Sequence, residues 1–422
     1  MLPRYQPQSQ LKIFEEILDL ESHKPVNISI IDDLILVKLE AKDKSATCPR
    51  CGCKSHKLHQ NHEHLVQDLP WNEKAVYLQM NSRQFKCDKC GKPFTETLEI
   101  KPFRRAYTKR FALDIVARVL DSNILAIAEQ KGVSEYQIQH ILNDVGKLLR
   151  NQSPKNLVRL GIDEISLRKG SGRYCAVLVD LDRHEIIGLL RSRKQDEIRE
   201  VLLSWGSEIL NSIKLVSMDL SKPYKSIINE VLPDVEIVAD RFHVMKQIND
   251  ELDSKRKEER RKATAEVKKA RSKAKKKEKE EIENVLKGSK YPLLKNEIDL
   301  LNEQKEKLEK VKEVSPILEQ MHNLKEEFRT IFEKSQNWGE GTLELMNWIK
   351  KASNVYSKSC QTLINWFGEV TGYFEHHISN GCVEGLNNKL KVIKRCGYGF
   401  RNFENFEIRV LLSCTKSIDL AY

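Results

Sequence analysis

The sequence has no unbroken run of about 18 apolar residues, so no membrane-spanning helix is expected. Its first twenty residues, MLPRYQPQSQLKIFEEILDL, hold neither an apolar core nor a small-residue cleavage site, and a secretory leader is not expected either. From Asp234 to Lys287 there is neither glycine nor proline, the two residues that most often break a helix. Within that stretch, Ser254 to Lys279 has no aspartate and only four glutamates against 14 lysines and arginines, a net of +10. What is present suits a soluble, charge-rich chain of more than one domain: 422 residues, 40% hydrophobic and 32% charged, with net charge +11. A pI near 9.0 puts nucleic acid first among candidate partners. Ten cysteines without an export signal point to a reducing compartment and to metal binding rather than disulfides.

Half of those cysteines lie in the first quarter of the chain, in CPRCGC (Cys48, Cys51, Cys53) and CDKCGK (Cys87, Cys90). Two C-x-x-C pairs, each followed by glycine, suit a tetrahedral zinc site. Each pair closes a tight turn, and together they bring four sulfurs to roughly 2.3 Å from one ion. Cys48, Cys51, Cys87 and Cys90 complete the shell of one structural Zn²⁺. Cys53 is then a spare thiol, and His56, His59, His62 and His64 are competitors without a vacancy. The intervening strand-like residues predict a small ribbon.

Residues 107 to 150 read as helices. Phe111, Ile115, Val116, Val119 and Leu120 have helical spacing. Ala128, Gly132, Val133, Ile138 and Ile141 fall where a helix-turn-helix places its packing residues, with Ser134 as N-cap. The outer side of the second helix (Glu135, Tyr136, Gln137, Gln139 and His140) would then face a major groove. An ordinary helical hairpin is the competing reading.

From residue 157 three apolar strands are followed by a helix (QDEIREVLLSWGSEIL), a strand (IKLVSMDL), a helix and a fifth strand (VEIVADRFHV). That is the order of a ribonuclease H-like core. Asp163 in GIDEIS and Asp219 in VSMDLSKPY sit among buried apolar neighbours, where an acid must be paired, metal-bound or at a strand's open end. Glu164 points to the opposite face from Asp163 because side chains alternate along a strand. Carboxylates suit two Mg²⁺ ions roughly 3.5–4 Å apart, which need hard oxygen ligands and, as a rule, a third acid.

The third acid comes from far along the chain. Residues 246–374 read as an all-helical insertion, with Trp338, Trp348 and Trp366 as core anchors and its basic stretch as a solvated helix or an arm along a DNA backbone. Residues 376–401 then hold one acid, Glu384, among Lys389, Lys391, Lys394, Arg395 and Arg401. Glu384, Asn387, Asn388 and Lys391 share one face of a helix capped by Ser379 or Asn380. The acid can reach a metal while Asn387, Asn388, Lys391, Lys394 and Arg395 meet DNA.

The ordered motifs CPRCG, CDKCGKPFTE, GIDEIS, VSMDLSKPY, VADRFHV and SNGCVEGLNNKLKVIKRCGYGFRNFENF resemble the bacterial insertion-sequence transposases of the ISL-three family over nearly the whole chain. The resemblance implies a multidomain α/β protein. A zinc ribbon (41–103) and a helix-turn-helix (104–152) precede a ribonuclease H-like catalytic core (153–245 and 375–422). An all-α insertion (246–374) interrupts that core, and an N-terminal segment (1–40) leads the chain. It implies an Asp-Asp-Glu triad at Asp163, Asp219 and Glu384 holding two Mg²⁺ (or Mn²⁺). It also implies an accessory Asp-x-x-His pair at Asp240 and His243, for which a plain hydrogen-bonded pair is the alternative. The expected activity is cleavage and strand transfer of double-stranded DNA, at terminal inverted repeats and target sites. A homodimer or larger assembly would act on that DNA, in the bacterial cytoplasm near the nucleoid. Two rivals remain at this point: a non-catalytic DNA-binding regulator, and a nuclease of the same fold without strand transfer.

Overall fold

Alternating apolar residues build a sheet from the first ninety residues. After α1 (Gln8–Leu18), β1 (His23–Ile31) pairs antiparallel with β2 (Leu34–Ala41). The short β3 (Ala46–Thr47) and β4 (Lys54–Ser55) frame the first cysteine pair. A long hairpin follows, β5 (Leu58–Trp71) and β6 (Lys74–Lys86), and β7 (Pro93–Thr95) pairs with the far end of β6. The strand order is β1-β2-β6-β5, with β2 and β6 parallel. Ile35, Val37 and Leu39 on β2 and Val76, Leu78 and Met80 on β6 pack in one apolar core, the period-two signature of a half-buried sheet. β1 and β2 therefore share a sheet with the ribbon hairpin.

The computed structural model describes residues 8–102, 104–150, 153–166, 174–270, 272–378, 381–397 and 402–414. The chain divides into two units, residues 1–151 with 392–422, and residues 152–391.

In the first unit the sheet is followed by α2 (Lys109–Asp121), α3 (Ile124–Lys131) and α4 (Glu135–Arg150). Thr108 caps α2 and Asn123 caps α3, Gly132 (φ +62°) ends α3 in the left-handed region, and Ser134 Oγ accepts from Gln137 N at 3.1 Å. Of the expected packing residues, Phe111, Ile115, Val116, Val119, Ala128, Ile138 and Ile141 are buried, whereas Leu120 and Val133 are half-buried and Gly132 is exposed. Two acids fasten these helices. Buried Asp68 on β5 accepts from Thr108 Oγ1 (2.7 Å) and Arg110, and Asp144 on α4 takes a bidentate pair from Arg105 at 2.6 and 2.7 Å.

The second unit begins with β8 (Arg159–Ser166), β9 (Tyr174–Asp180) and β10 (Glu185–Leu189). After them come α5 (Gln195–Ser204), α6 (Ser207–Ser212), β11 (Leu215–Met218), α7 (Lys222–Val231) and β12 (Glu236–Ala239). The sheet order is β10-β9-β8-β11-β12. The first three strands are antiparallel, and β11 and β12 continue in parallel from the free side of β8. Two sequence expectations change. The single helix expected after β10 is two, broken at Gly206 (φ +83°). The fifth strand stops at Ala239, because the Asp240 side chain accepts from Phe242 N at 2.8 Å and starts α8 (Arg241–Lys269).

The helix α8 runs unbroken through residue 245, so no structural break marks the expected start of the insertion there. It packs on α9 (Lys273–Leu286) through Lys279–Glu266 (2.8 Å) and Thr264–Glu283 (2.7 Å). The unit continues through α10 (Lys290–Leu294), α11 (Asn302–Val314), α12 (Pro316–Lys334), α13 (Trp338–Ala352), α14 (Ser357–Asn365), α15 (Phe367–Thr371) and α16 (Tyr373–His376). Trp348 and Trp366 are buried anchors, and Trp348 Nε1 donates to Leu324 O at 2.8 Å. Trp338 is not an anchor: it is 51% exposed at the first position of α13. The chain then forms α17 (Gly381–Cys396) and α18 (Phe403–Cys414). The expected caps Ser379 and Asn380, and Arg401, lie outside the described residues. No helix among the described residues is long and apolar enough to cross a membrane.

Candidate active site

Strand register assembles the acids. Ile162 on β8, Met218 on β11 and Ala239 on β12 lie on one rung of three adjacent parallel strands. The next residue of each strand is an aspartate: Asp163, Asp219 and Asp240. All three therefore stand together at the carboxyl ends of β11 and β12 and beside them on β8, the edge where open α/β sheets carry ligands. Ligand atoms of Asp163, Asp219 and His243 lie within 4.8 Å of one another. His243 arrives from the first turn of α8, since Asp240 is the cap and an Asp-x-x-His spacing folds the ring back over it. Its Nδ1 lies 2.8 Å from Asp240 Oδ2 and 2.7 Å from Asp219 Oδ1.

One N–H cannot serve two carboxylates. The hydrogen bond with sound geometry goes to Asp240, and among the described residues the buried Asp219 Oδ1 has only its ion pair with the His243 ring and no well-formed hydrogen bond. A buried carboxylate oxygen without a donor is costly unless a cation satisfies it. The charges say the same. Burial and then the charge of Asp219 push the Asp163 carboxyl up to about 6, against the Glu164 backbone N–H, Asn387 and His243. Burial also raises Asp219, which His243 opposes and the charges of Asp240 and Glu164 reinforce. Burial disfavours the charged form of His243, yet Asp219 and Asp240 outweigh it and hold the ring protonated up to about 10. Two neighbouring buried carboxylates, balanced only by the protonated His243 ring 2.7 Å from Asp219 Oδ1, are a hard-oxygen donor set that fits Mg²⁺.

Glu164 follows Asp163 on β8 and, although side chains alternate along a strand, both residues line one cavity. The Glu164 carboxylate is held by Tyr224 Oη at 2.8 Å and Arg193 Nη1 at 3.1 Å, partners the sequence reading did not anticipate. Asn387, expected to meet DNA, instead donates its Nδ2 to Asp163 Oδ2. Its own Oδ1 is buried without a partner. Glu384, one turn earlier on the same face of α17, lines the cavity that Asp163, Asp240 and His243 also line. It is exposed and stands outside the group of ligand atoms formed by Asp163, Asp219 and His243. Lys391 lines the same cavity, and its Nζ is 3.2 Å from Asn388 Oδ1. Lys394 and Arg395 follow in the last turn of α17.

The four cysteines converge as spacing requires. Cys48 and Cys90 sulfurs are 3.8 Å apart and those of Cys51 and Cys87 are 3.4 Å apart, close to the ~3.8 Å edge of a tetrahedron with 2.3 Å arms. The two turns repeat each other. Gly52 N donates to Cys48 O and Gly91 N to Cys87 O, both at 2.9 Å, with φ of +72° and +67°. Burial opposes a thiolate at Cys48, but the backbone N–H groups of Arg50 and Cys51 bring its pKa down to about 7. Phe85 and Phe94 pack against the cluster. Cys53 and the exposed histidines 56, 59, 62 and 64 are in no ligand group among the described residues. A third such group, Glu236, Glu375 and His376, is a surface ion pair at the other end of β12, with His376 Nε2 2.8 Å from Glu236 Oε2.

On α4, the expected reading face is partly occupied within its own unit. Gln137 Nε2 donates to Gln67 Oε1 at 3.1 Å. Gln139 and Asn405 of α18 exchange amide hydrogen bonds at 2.6 and 2.9 Å. Tyr136 is 74% exposed and meets His140 edge-on at 4.2 Å.

Comparison with known proteins gives the family. Residues 160–410 match a DDE transposase family of the ISL3 type, described as "Transposase". Residues 44–90 match the zinc-finger of transposase IS204/IS1001/IS1096/IS1165. The chain is 24% identical to the transposase for insertion sequence element IS1001 of Bordetella parapertussis, over 89% of this chain and 90% of that one. It is 26% identical to the transposase for insertion sequence element IS1557 of Mycobacterium tuberculosis, over 84% and 82%. With the family match spanning more than half its length, the chain belongs to the ISL3 family of DDE transposases, enzymes of the polynucleotidyl transferase type.

Proposed function

We propose that this transposase binds the terminal inverted repeats of its own insertion sequence, and target DNA, and that Asp163, Asp219 and Glu384 direct strand cleavage followed by strand transfer. The observation that carries the reading is the shared rung. The aspartates one step beyond it stand side by side on adjacent strands, and the buried Asp219 Oδ1 has the His243 ring 2.7 Å away. The sheet order, three antiparallel strands with two more added in parallel beside the first, is that of a ribonuclease H-like core. The helices between residues 241 and 376 are its insertion.

Two Mg²⁺ or Mn²⁺ ions held here would activate a water or 3′-hydroxyl and stabilise the leaving oxygen. The side chains do the positioning. Asn387 fixes the orientation of the Asp163 carboxylate. Asp240 holds His243 beside Asp219 and sets the ring's direction. Glu384 brings the third acid from the wall of the cavity. Lys391, Asn388, Lys394 and Arg395 continue along α17 as contacts for the phosphate backbone.

In the first unit, one structural Zn²⁺ on Cys48, Cys51, Cys87 and Cys90 fixes the end of the ribbon. The pair α3–α4 acts as a helix-turn-helix in which Tyr136 and His140 meet the groove, while Gln137 and Gln139 brace the second helix. Two element ends require two active sites, so the working complex is at least a dimer.

Labelled DNA carrying the gene's own flanks tests this reading. Nicks at the repeat boundary that need Mg²⁺, vanish in EDTA and fall at least about a thousandfold in Asp219→Asn are expected. Specific binding with no nick in Mg²⁺ or Mn²⁺ would replace the enzyme by a DNA-binding regulator.

A further inference from the structure

The acidic cluster occupies one end of a cavity of about 620 Å³, within the range of roughly 300–1,000 Å³ typical of sites for small organic groups. One face of α8 lines the same cavity. Phe242, Met245, Lys246 and Asn249 are spaced i, i+3, i+4 and i+7 and all line the cavity.

Three of the four have a property that ordinary packing does not explain. Phe242 is 56% exposed although its neighbour Val244 is buried. Its position is fixed nonetheless. Its backbone N–H donates to the Asp240 cap at 2.8 Å, and its ring stands edge-on to His243 at 5.4 Å and 86°. The Phe242 ring is therefore held against His243 of the acidic cluster while more than half of it stays exposed. Asn249 Oδ1 is buried with no hydrogen-bond partner, an acceptor waiting for an N–H. Lys246 is exposed and forms no ion pair among the described residues.

An exposed aromatic face, a thioether, a cation and an unfilled amide acceptor match one chemistry: a nucleobase with its phosphate. The base stacks on Phe242 and Met245, an exocyclic amine donates to Asn249, and Lys246 meets the phosphate. A paired base already has both faces covered by its neighbours, so only an unpaired one fits.

We propose that this cavity seats an unpaired nucleotide of the DNA strand being processed, with Phe242 as its stacking platform. The inference rests on the catalytic reading of the adjacent acids. It adds that the DNA at the cluster is locally opened, and that a face of the first two turns of the insertion helix holds the displaced base. The helix thus contributes His243 to the acids and Phe242 to the substrate from consecutive positions.

Binding to the full-length protein tests this, with Ca²⁺ in place of Mg²⁺ so that affinity is read apart from turnover. The probe is a duplex with a short single-stranded overhang, its overhang bases either intact or replaced by abasic sites. The wild type is expected to favour the intact overhang by about fivefold or more. Phe242→Ala should bring that ratio to one, and Phe242→Trp should restore it. Zinc content and melting temperature confirm that each variant is folded. A wild-type ratio of one, or a Phe242→Ala ratio equal to wild type, overturns the proposal. Nicking of the flanking DNA by wild type in Mg²⁺ reports separately on the catalytic reading. Nicking without base preference sinks this inference alone, whereas base preference without nicking sinks the catalytic reading instead.

Discussion

The sulfur cluster and the acid cluster both gather anionic ligands, and they do so by opposite means. Cys48, Cys51, Cys87 and Cys90 come from two short turns, each closed by its own backbone hydrogen bonds and its own glycine. Four sulfurs fill a tetrahedron, and no position is left for a substrate. The acid cluster draws on residues 163, 219 and 240, set by a strand rung and a helix cap, with the proposed third acid, Glu384, on a distant helix. Burial and neighbouring carboxylates raise Asp163 and Asp219, and His243 offsets this only in part, so this cluster is left short of positive charge where the other is closed. A structural site is local and complete, whereas a catalytic one is long-range and left open toward its substrate.

That contrast can be broken at either side. The largest effect is expected at zinc. Cys87→Ser should remove the bound ion and with it about 10 kcal/mol of metal-linked folding energy. Proteolysis should then cut the ribbon hairpin while the 152–391 unit stays resistant. A variant that keeps zinc and resists proteolysis would show that the cysteines are not the fold's anchor.

A smaller effect, of opposite sign, is expected at the acids. The Asp163 pKa is raised by folding, so the folded state binds more protons than the unfolded one above pH 4. The stability of metal-free wild type should therefore fall as pH climbs from about 4 to about 6. Asp163→Asn should stabilise the metal-free protein at pH 7 by up to about 3 kcal/mol while abolishing cleavage. Thermal melts in EDTA check both, and a flat pH profile would remove the repulsion argument.

The smallest effect is expected on α4. Gln139→Ala loses the amide pair with Asn405, for about 1 kcal/mol of stability, with little change in DNA affinity. A large loss of affinity at unchanged stability would return Gln139 to the reading face.

The same contrast explains what the sequence made legible. The zinc ligands follow from spacing within a few residues, and so do the strand order, the buried faces of α2 and α4, and the aspartates at strand ends. Readings that needed tertiary context went astray. The residues RFHV look like strand, but the Asp240 cap turns them into the first turn of α8. Trp338 has an anchor's side chain and a surface position. Gln139 lies on the polar side of an amphipathic helix, and only the fold brings Asn405, 266 residues away, to meet it. Asn387 was grouped correctly with Glu384 by helical spacing, but its bond to Asp163 depends on a contact across 224 residues. Phe242 could have been noticed as an aromatic inside an Asp-x-x-His spacing, although nothing local says that it is exposed.

The central claim is that Glu384 completes an acidic site whose function is cleavage rather than binding. Comparing Glu384→Gln with wild type on the same end-bearing DNA, for affinity and for nicking in Mg²⁺, tests it most directly. Unchanged affinity with nicking reduced at least about a thousandfold is the expected result. Nicking at the wild-type rate would contradict the account.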